Sequence, residues 1–322
     1  MDSKFISIII PAFNEEKRIG QCLNSLTRLE SPRESFEVIL VDNGSTDRTI
    51  KVAQAFSAVF NLTILEKAGA HISALRNLGA SQARGGIFAF LDADCLAPLD
   101  WLTQAAALLG KEGVGVVGSH YRIPKGSGWV ARAWYGGLEV EKQGDLAWVP
   151  GGDLWVTRST FDRVGGFDES IETNEDCEFC SRIRASGLRV VADPAIAVDH
   201  LGTPQTVSGF YRKILWHATD GLRVFLRDPL ALTNARPVLF GFYALVCLAG
   251  IGIGVAFYAW QKRFGVAAVS VLALILPPLL LSVRLVLKRR KWGDLFPLTL
   301  LNLVYGLARG RSLLVARNWG RS

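Results

Sequence analysis

Residues 88–98 read FAFLDADCLAP, an apolar run that meets two carboxylates, Asp92 and Asp94, and then stops at Pro98. A strand buried on both faces is nearly continuously apolar, and the ligands of open α/β sheets bind beyond the carboxyl ends of the strands. The stretch therefore predicts a central strand of an α/β sheet whose acids face a ligand. Because Asp is also a common turn former, a solvated turn is the alternative.

The surrounding sequence alternates apolar runs with helical patterns. Strands that alternate with helices predict βαβ units and a mostly parallel sheet, so the predicted fold class is α/β. A helix containing NEDCEFCSRIRASG and a last strand, LRVVADPAIAVDH, follow further along the chain. The earlier candidate strands are 5–13, 36–43, 62–67, 86–94 and 113–121, with helices EEKRIGQCLNSLTRL, TDRTIKVAQAFSAV and ISALRNLGASQAR between the first four.

Charge divides the chain into two parts of opposite sign. Residues 1–236 contain 25 Lys and Arg against 28 Asp and Glu, a net charge of −3, whereas residues 237–322 contain 11 basic residues against one acid, a net charge of +10. The pI of 9.3 therefore originates in the C-terminal part. Basic residues beside long apolar runs are typical of membrane topology and of attraction to anionic lipids. Since the first two-thirds of the sequence contain no basic face interleaved with aromatics, we expect no nucleic-acid partner.

Two apolar runs, 238–260 and 266–287, approach the length of about 20 residues that crosses a membrane. The basic residues 288–291 follow the second run, and the bias of positive charge predicts that this end is cytoplasmic. A third apolar segment, 295–308, is short and is followed by four arginines. We therefore predict a two-span hairpin with a re-entrant or interfacial C-terminal helix, with three spans as the alternative.

The N-terminal sequence and the cysteines predict a cytosolic environment for the first part of the chain. The apolar stretch in MDSKFISIIIPAFNEE is too short for a secretory signal. Five cysteines, an odd number, do not indicate a disulfide framework. Cys177 and Cys180 form a Cys-x-x-Cys pair, which we interpret as structural thiols because no second pair or histidine at metal spacing accompanies it.

Acidic residues follow the predicted strands at the edge where the carboxyl ends of parallel strands meet. Glu15 follows the first strand, Asp42 ends the second, and Asp92 and Asp94 end the fourth. Neighbouring carboxylates repel one another, and a bound cation offsets that repulsion. Mg²⁺ and Mn²⁺ accept oxygen ligands, and Mg²⁺ is commonly shared between carboxylates and substrate phosphates. The acids therefore indicate a nucleotide diphosphate and a divalent cation, Mn²⁺ or Mg²⁺.

Several collinear stretches carry a resemblance to a known family. In their order and spacing they resemble glycosyltransferase family 2, whose members have the GT-A fold and invert the configuration of the transferred sugar. We predict a catalytic domain over 1–206, which carries the resemblance. An amphipathic interfacial helix and linker over 207–236 is predicted from the apolar residues along one side of 207–227, and a membrane region over 237–322 from its two apolar runs. The stretches are IIIPAFNEEKRI, LVDNGSTDRT, ISALRNLGA, FLDADC, PGGDLWVTRSTFDRVGGFDES and NEDCEFCSRIRASG.

The resemblance implies a set of residues that bind the nucleotide sugar. Asp42 would accept a hydrogen bond from the nucleobase and Asp92 from the ribose hydroxyls, as carboxylates do well. Arg76 would lie near the base or the diphosphate, with a solvated helix arginine as the alternative. Gly151 and Gly152 would let the backbone approach the donor sugar. The implied donor-binding residues are Pro11, Ala12, Phe13, Glu15, Asp42, Arg76, Asp92, Ala93, Gly151, Gly152 and Asp153.

The same resemblance implies the metal ligands and the catalytic acids. Asp94 would bind the metal, and His200, after the last predicted strand, would complete the site, with a structural histidine as the alternative. Asp176 would be the general base that deprotonates the acceptor hydroxyl. Glu175 would orient or tune it. The helix dipole would also stabilise these two acids at a helix N-terminus, and this structural role is compatible with a catalytic one.

Three features qualify these expectations. Asp153 stands where many family members have Asn, which bears on the donor-sugar contact. The chain has FYRKILWH near Trp216 but lacks the Gln-x-x-Arg-Trp pattern of lipid-linked and processive polymerases, which favours transfer of single sugars. The Trp-rich residues 124–149 are predicted to order over the site as a lid.

The sequence thus predicts an inverting, metal-dependent glycosyltransferase. It would move a sugar from a nucleotide-diphosphate sugar, with UDP as the expected nucleotide, to a lipid or lipid-linked glycan at the cytoplasmic face of the inner membrane. One alternative is a non-catalytic, membrane-anchored nucleotide-binding or scaffold subunit, against which the joint presence of these acids argues. Another is a nucleotidyltransferase, which would have a Gly-rich, basic loop after the first strand, where this chain has PAFNEEKRIG.

Overall fold

The structure is a computed structural model that describes residues 5–136, 143–218, 222, 225–226, 232–261 and 265–314. The chain divides into two compact units, Met1–Lys125 with Leu138–Thr203, and Gly126–Gly137 with Pro204–Ser322. The end of the first unit lies close to the end of the predicted catalytic domain. The sequence does not predict that a short segment inside that domain belongs to the second unit.

A mixed sheet of eight strands forms the centre of the first unit, in the order β3-β2-β1-β4-β8-β6-β9-β7. Strands β5 and β10 form a separate pair. The strands are β1 (Ile6–Ala12), β2 (Phe36–Asp42), β3 (Leu62–Glu66), β4 (Ile87–Leu91), β5 (Cys95–Leu96), β6 (Val114–Gly118), β7 (Gly144–Asp145), β8 (Asp153–Thr157), β9 (Arg189–Ala192) and β10 (Asp199–His200).

The parallel half of the sheet confirms the prediction from the alternating pattern. β1 pairs in parallel with β2 and β4, and β2 pairs in parallel with β3. β1 and β2 are buried along their whole length, which is why they read as continuous apolar runs. β8 is antiparallel to both β4 and β6. The ends of β1, β2 and β4 therefore lie at one edge of the sheet, next to the start of β8.

Helices cover both faces of this sheet and build the second unit. On one face, Trp101 packs edge to face on Trp155 with 4.5 Å between ring centroids. On the other, Phe90, Phe161 and Phe167 pack together. The described helices are α1 (Ile19–Leu26), α2 (Thr49–Gln54), α3 (Ile72–Gln82), α4 (Trp101–Leu109), α5 (Trp129–Tyr135), α6 (Arg158–Val164), α7 (Glu175–Ala185), α8 (Val207–His217), α9 (Leu232–Gln261), α10 (Gly265–Arg289) and α11 (Leu295–Leu314).

The prediction of one long strand over LRVVADPAIAVDH is wrong. The segment forms β9, a 3₁₀ turn at Pro194–Ile196, and β10. Proline has no N–H for a strand ladder, and the Asp193 carboxylate accepts a hydrogen bond from the Ala195 N–H at 2.9 Å, which favours the turn. Because the chain turns here, β10 pairs with β5 and His200 lies opposite Cys95.

Two helices of the second unit, α9 and α10, contain stretches long and apolar enough to cross a membrane, Ala235–Tyr258 and Gly265–Arg289. The Tyr243 hydroxyl donates to the Ala273 carbonyl at 2.7 Å. In a regular helix this carbonyl would accept from the N–H four residues further along α10, but Pro277 stands there and has no N–H. The Tyr243 hydroxyl of α9 therefore takes the place of the missing donor.

The apolar side of α8 packs against α5 and α11, and its predicted position in a membrane interface stays a prediction. One side chain of α8 that remains largely outside these contacts is Trp216, which is 47% exposed. The sequence pattern shows that a helix has an apolar side but does not show which surface covers it. The rest of the predicted interfacial segment, 219–231, lies largely outside the described residues. The buried members of the cluster are Val130, Ala133, Phe210, Ile214, Leu301 and Ala308.

The Trp-rich segment predicted to be a lid is built differently in its described part. Residues 129–135 form α5, which belongs to the second unit. The Trp134 ring packs on Phe210 and Tyr305, with ring centroids 4.7 and 5.6 Å apart. Trp134 is therefore a packing residue of the helical unit, and the lid stays a prediction. Residues 137–142 of the segment lie outside the described residues.

Candidate active site

Two loops, which follow β1 and β2, hold each other in place at the edge of the sheet. The Asn14 N–H donates to Ser45 Oγ at 2.8 Å, and Asn14 Oδ1 accepts from the Thr46 N–H at 2.9 Å. The Glu15 N–H donates to Thr49 Oγ1 at 2.7 Å. Asn14 has a φ of 54°, a conformation that Asn adopts more readily than most residues. This side of the site, where the nucleoside is predicted to bind, is therefore preorganised.

The residues predicted to face the nucleoside after β1 differ in their exposure. Pro11 and Ala12 are buried, whereas Phe13, just beyond the strand, is 53% exposed. The Glu15 carboxylate is partly buried and accepts from the Arg18 guanidinium at 2.9 Å. Burial raises the pKa of Glu15, although the bond to Arg18 opposes the rise. Of these side chains, Phe13 offers the largest apolar surface for a nucleobase.

Asp42 is completely buried at the end of β2. Its carboxylate accepts hydrogen bonds from the Gly44 and Ser45 N–H groups at 2.9 and 2.7 Å, and from the Ser45 hydroxyl at 2.5 Å. In this structure Asp42 fixes the turn after β2. Its predicted contact with the nucleobase stays a prediction.

Arg76, on α3, is a buried cation that joins two acids. Only 1% of the residue is exposed; one guanidinium nitrogen lies 3.0 Å from Asp92 Oδ1 and the other 2.5 Å from Glu175 Oε1. Burial alone lowers the pKa of Arg76, but the charges of Glu175 and Asp92 keep it above its ordinary value. The solvated alternative is therefore wrong. A Cβ at Gly151 would meet the guanidinium, so this packing requires glycine there.

Both carboxylate oxygens of Asp92 are engaged. Oδ1 contacts Arg76, and Oδ2 accepts from the Tyr121 hydroxyl at 3.1 Å. The same hydroxyl accepts from the Gly152 N–H at 3.2 Å. A Cβ at Gly152 would meet both Asp92 and Tyr121. The two glycines predicted to admit the donor sugar thus also admit these side chains, and Tyr121 is a site residue that the sequence analysis missed.

A group of side chains that could hold a metal ion lies where the residues after β4 meet His200 of β10. The ligand atoms of Asp92, Asp94, Cys95 and His200 lie within 4.8 Å of one another, and His200 Nε2 is 3.7 Å from Asp94 Oδ1. Asp92 is already bonded through both oxygens, and burial raises the pKa of the Cys95 thiol well above its usual value, which disfavours the thiolate. Asp94 and His200 are therefore the best placed ligands, and an oxygen and an imidazole nitrogen fit Mn²⁺.

Thr203 determines which nitrogen of His200 faces these acids. The Thr203 hydroxyl donates to the His200 carbonyl at 2.9 Å, and the same oxygen lies 3.3 Å from His200 Nδ1. A hydroxyl has one hydrogen, so the oxygen accepts from Nδ1–H, and when the ring is neutral its lone pair is on Nε2, toward Asp94. A Cβ at Gly202 would meet both Asp94 and His200, so a glycine is needed beside the pair. This tautomer is one that binds metal.

The acid pair of the NED motif lies at the first turn of α7. The Asp176 carboxylate accepts from the Cys177 N–H at 2.8 Å and from the Gly151 N–H at 3.1 Å. Burial, followed by the charge of Glu175, raises the pKa of Asp176 to about 7. A carboxylate with this pKa can accept a proton near neutral pH. Glu175 is itself buried against Arg76, so the pair is connected to Asp92 through that guanidinium.

The Asp153 side chain lies in the core, although the residue begins β8 beside the end of β4. It is fully buried and accepts from Trp101 Nε1 at 3.0 Å, while its other oxygen has no partner among the described residues. Burial raises the pKa of Asp153 well above its usual value, although the hydrogen bond from Trp101 opposes the rise. Since the side chain is fully buried in this structure, the predicted contact between Asp153 and the donor sugar stays a prediction.

Wild type should lose folding stability as the pH rises because of the buried Asp153, and we expect Asp153→Asn to remove this loss. An acid whose pKa is raised in the folded state stabilises the fold below its unfolded pKa of about 4, and this contribution is lost as the pH rises toward the folded pKa. The melting temperature of the variant, relative to wild type, should therefore increase by about 3 °C between pH 5 and pH 8. Thermal melts of the detergent-solubilised protein check this, with the exposed Asp162→Asn as control. A difference that is equal at both pH values would contradict the prediction.

Residues 7–167 match the glycosyl transferase family 2 domain. The chain is also 32% identical over 255 residues to the glycosyltransferase AglE of Haloferax volcanii, which covers 74% of this chain and 81% of that protein. The chain belongs to glycosyl transferase family 2. A second relative is the dolichyl N-acetyl-α-D-glucosaminyl phosphate 3-β-D-2,3-diacetamido-2,3-dideoxy-β-D-glucuronosyltransferase of Methanococcus voltae. It is 27% identical to this glycosyltransferase over 239 residues, which cover 68% of this chain and 74% of that one.

The fold of this glycosyltransferase has a counterpart among solved structures. The mannosyltransferase PcManGT from Pyrobaculum calidifontis, in complex with GDP-Man and Mn²⁺, matches with a TM-score of 0.63 at 21% identity, over 97% of this chain and 88% of that one. At this identity the likeness shows the fold. It confirms the predicted GT-A architecture followed by C-terminal helices.

Proposed function

We propose that this glycosyltransferase is inverting and metal-dependent, and transfers single sugars from a nucleotide-diphosphate sugar to a lipid or lipid-linked acceptor at the cytoplasmic face of a membrane. The proposal rests on a continuous series of contacts that joins Asp94 and His200 to the acid pair at the start of α7. His200 and Asp94 neighbour Asp92, whose carboxylate is held by Arg76, which in turn binds Glu175 at 2.5 Å. A scaffold protein does not need this arrangement.

On the donor side, Asp92 accepts from the ribose hydroxyls in an orientation that Arg76 and Tyr121 hold. Phe13, exposed beyond β1, lies against the nucleobase, and Asp42 keeps the adjoining turn in shape. Asp94 and His200 would hold the divalent cation, which would supply positive charge to offset that of the departing diphosphate. The residues fit Mn²⁺ better than Mg²⁺, since Mg²⁺ prefers oxygen ligands alone.

On the acceptor side, Asp176 is the base. The acceptor O–H proton moves to the Asp176 carboxylate as the new bond to the anomeric carbon forms and the bond from that carbon to the diphosphate oxygen breaks. One displacement at one carbon inverts its configuration. Burial, followed by the charge of Glu175, keeps the pKa of Asp176 high enough for this transfer.

The membrane hairpin and the relatives support a lipid-linked acceptor. α9 and α10 can anchor the enzyme, which restricts it to acceptors at the membrane. The name of the Methanococcus voltae relative specifies a dolichyl-phosphate-linked acceptor. PcManGT has GDP-Man bound, so both UDP and GDP have to be tested as the nucleotide, with UDP as our expectation from the sequence.

Calorimetric titration of the full-length protein in detergent with UDP, GDP, CDP and dTDP tests the proposal. We expect one nucleotide to bind in the presence of Mn²⁺ and to lose binding on addition of EDTA. Absence of binding by all four nucleotides would favour the non-catalytic scaffold. A binding nucleotide that is indifferent to Mn²⁺ would refute the metal requirement.

We expect a two-span topology. The start of α9 and the end of α10 lie at the end of the hairpin opposite their connection, and α11 packs across both helices there. The Asn302 amide of α11 donates to Ser282 Oγ of α10 at 3.0 Å, and a Cβ at Gly310 of α11 would meet Gly241 of α9. The basic residues 288–291 lie at this same end and favour the cytoplasm. C-terminal fusions should be active with green fluorescent protein and inactive with alkaline phosphatase, and fusions at the α9–α10 connection should show the reverse. A phosphatase-active C-terminus would establish three spans.

A further inference from the structure

We propose that Tyr121 is a positioning residue that couples the metal site to the donor-binding acid, with its hydroxyl holding Asp92 and its ring holding His200. The inference rests on the proposed function and adds to it a residue that the family motifs do not mark. Tyr121 follows β6, away in sequence from both groups that it contacts.

The hydroxyl of Tyr121 has a defined direction. A backbone N–H can only donate, so the bond between Gly152 N–H and Tyr121 at 3.2 Å uses a lone pair of the phenol oxygen. The single phenol hydrogen is then directed to Asp92 Oδ2, 3.1 Å away. Since Arg76 holds Oδ1, the two contacts together fix the plane of the Asp92 carboxylate.

The ring of Tyr121 restrains the imidazole. Its centroid lies 4.5 Å from that of His200, with the planes tilted by 40°. Thr203 holds the same imidazole at Nδ1, 3.3 Å from its hydroxyl oxygen. Contact with the ring and a hydrogen bond at its edge leave Nε2 directed toward Asp94. The orientation of the metal-binding nitrogen therefore depends on Tyr121 through packing and on Thr203 through hydrogen bonding.

Two parts of one side chain thus serve two sites, and two substitutions separate them. Tyr121→Phe keeps the ring and removes the bonds to Asp92 and Gly152. Tyr121→Leu removes both the ring and the hydroxyl. If Tyr121 only stabilised the fold, each variant would lower metal affinity and nucleotide affinity together, in proportion to the stability lost. The coupling role predicts instead that Tyr121→Phe lowers nucleotide affinity and leaves metal affinity intact.

The experiment measures Mn²⁺ affinity by electron paramagnetic resonance without nucleotide, and then nucleotide affinity at saturating Mn²⁺, on the full-length protein in detergent. For Tyr121→Phe we expect Mn²⁺ affinity within about twofold of wild type and nucleotide affinity lower by about tenfold. For Tyr121→Leu we expect Mn²⁺ affinity to fall by about 10- to 100-fold. Tyr135→Phe, on α5, is the matched control and should change neither affinity.

The outcomes distinguish this inference from the proposed function. If wild type binds neither Mn²⁺ nor nucleotide, the proposed function fails. If wild type binds both and Tyr121→Phe binds the nucleotide as wild type does, the coupling inference alone is overturned. A Phe variant that loses Mn²⁺ affinity as strongly as the nucleotide also overturns it. If the Leu variant does not fold, the Phe variant decides the question by itself.

Discussion

Asp176→Asn should lower the rate of sugar transfer by about 10³-fold and leave nucleotide affinity within about twofold, because a positioned general base contributes 10²- to 10⁴-fold. The amide cannot accept the acceptor proton, but it is close in shape to the carboxylate. The Gly151 N–H at 3.1 Å still finds an oxygen in one orientation of the amide. Transfer measured with a membrane acceptor fraction, alongside nucleotide calorimetry, separates chemistry from binding. Asp162→Asn, an exposed acid on α6, is the control for loss of charge alone.

The pH dependence of the wild-type enzyme tests the same residue. The base must be ionised to act, and burial and Glu175 raise the pKa of Asp176 to about 7, against Arg76 and the Cys177 and Gly151 N–H groups. The transfer rate at saturating substrates should therefore fall by about tenfold for each pH unit below about 7. In Asp176→Asn this acidic limb should disappear from the residual rate. A limb of unchanged position in the variant would assign it to another group and remove Asp176 as the base.

The sequence predicted the parallel half of the fold because buried parallel strands have a local pattern. β1, β2 and β4 are continuous apolar runs, and their acids occur where the strands end. The carboxyl ends of parallel strands share one edge, so the proximity of Asp92 and Asp94 to the other strand ends could be inferred without coordinates. The position of His200 could be inferred only approximately, since its strand is interrupted by the turn at Pro194.

The depth and the partners of side chains could not be inferred in the same way. Asp153 occupies a motif position but points into the core toward Trp101, because the side chains of a strand alternate between faces. Arg76 reads as a polar helix residue, yet it is 1% exposed, since two distant acids converge on it. Tyr121 reads as the end of a strand, and its contacts with Asp92 depend on how distant segments meet. Such contacts are properties of the packed structure.

The division into units escaped prediction for a related reason. The segment 126–137 is read as part of the first unit because it lies between its strands, but its helix α5 buries Val130 and Ala133 with residues of α8 and α11. An apolar helix face indicates that something must cover it, and it does not identify the cover. Here the cover comes from helices much later in the chain.

Asp94→Ala should lower Mn²⁺ affinity more than about 100-fold and sugar transfer more than about 10³-fold, because it removes the carboxylate of the proposed metal-binding pair and leaves only the imidazole of His200. Mn²⁺ binding followed by electron paramagnetic resonance, and transfer assayed with and without EDTA, measure the two effects. Cys95→Ala is the matched control at the adjacent position. The Cys95 thiol belongs to the same cluster within 4.8 Å, but the rise in its pKa on burial disfavours the thiolate, so this variant should retain Mn²⁺ affinity within about threefold. The reverse result, with Cys95 required and Asp94 dispensable, would replace the oxygen and imidazole site with a thiolate site and would favour a softer metal such as Zn²⁺ over Mn²⁺.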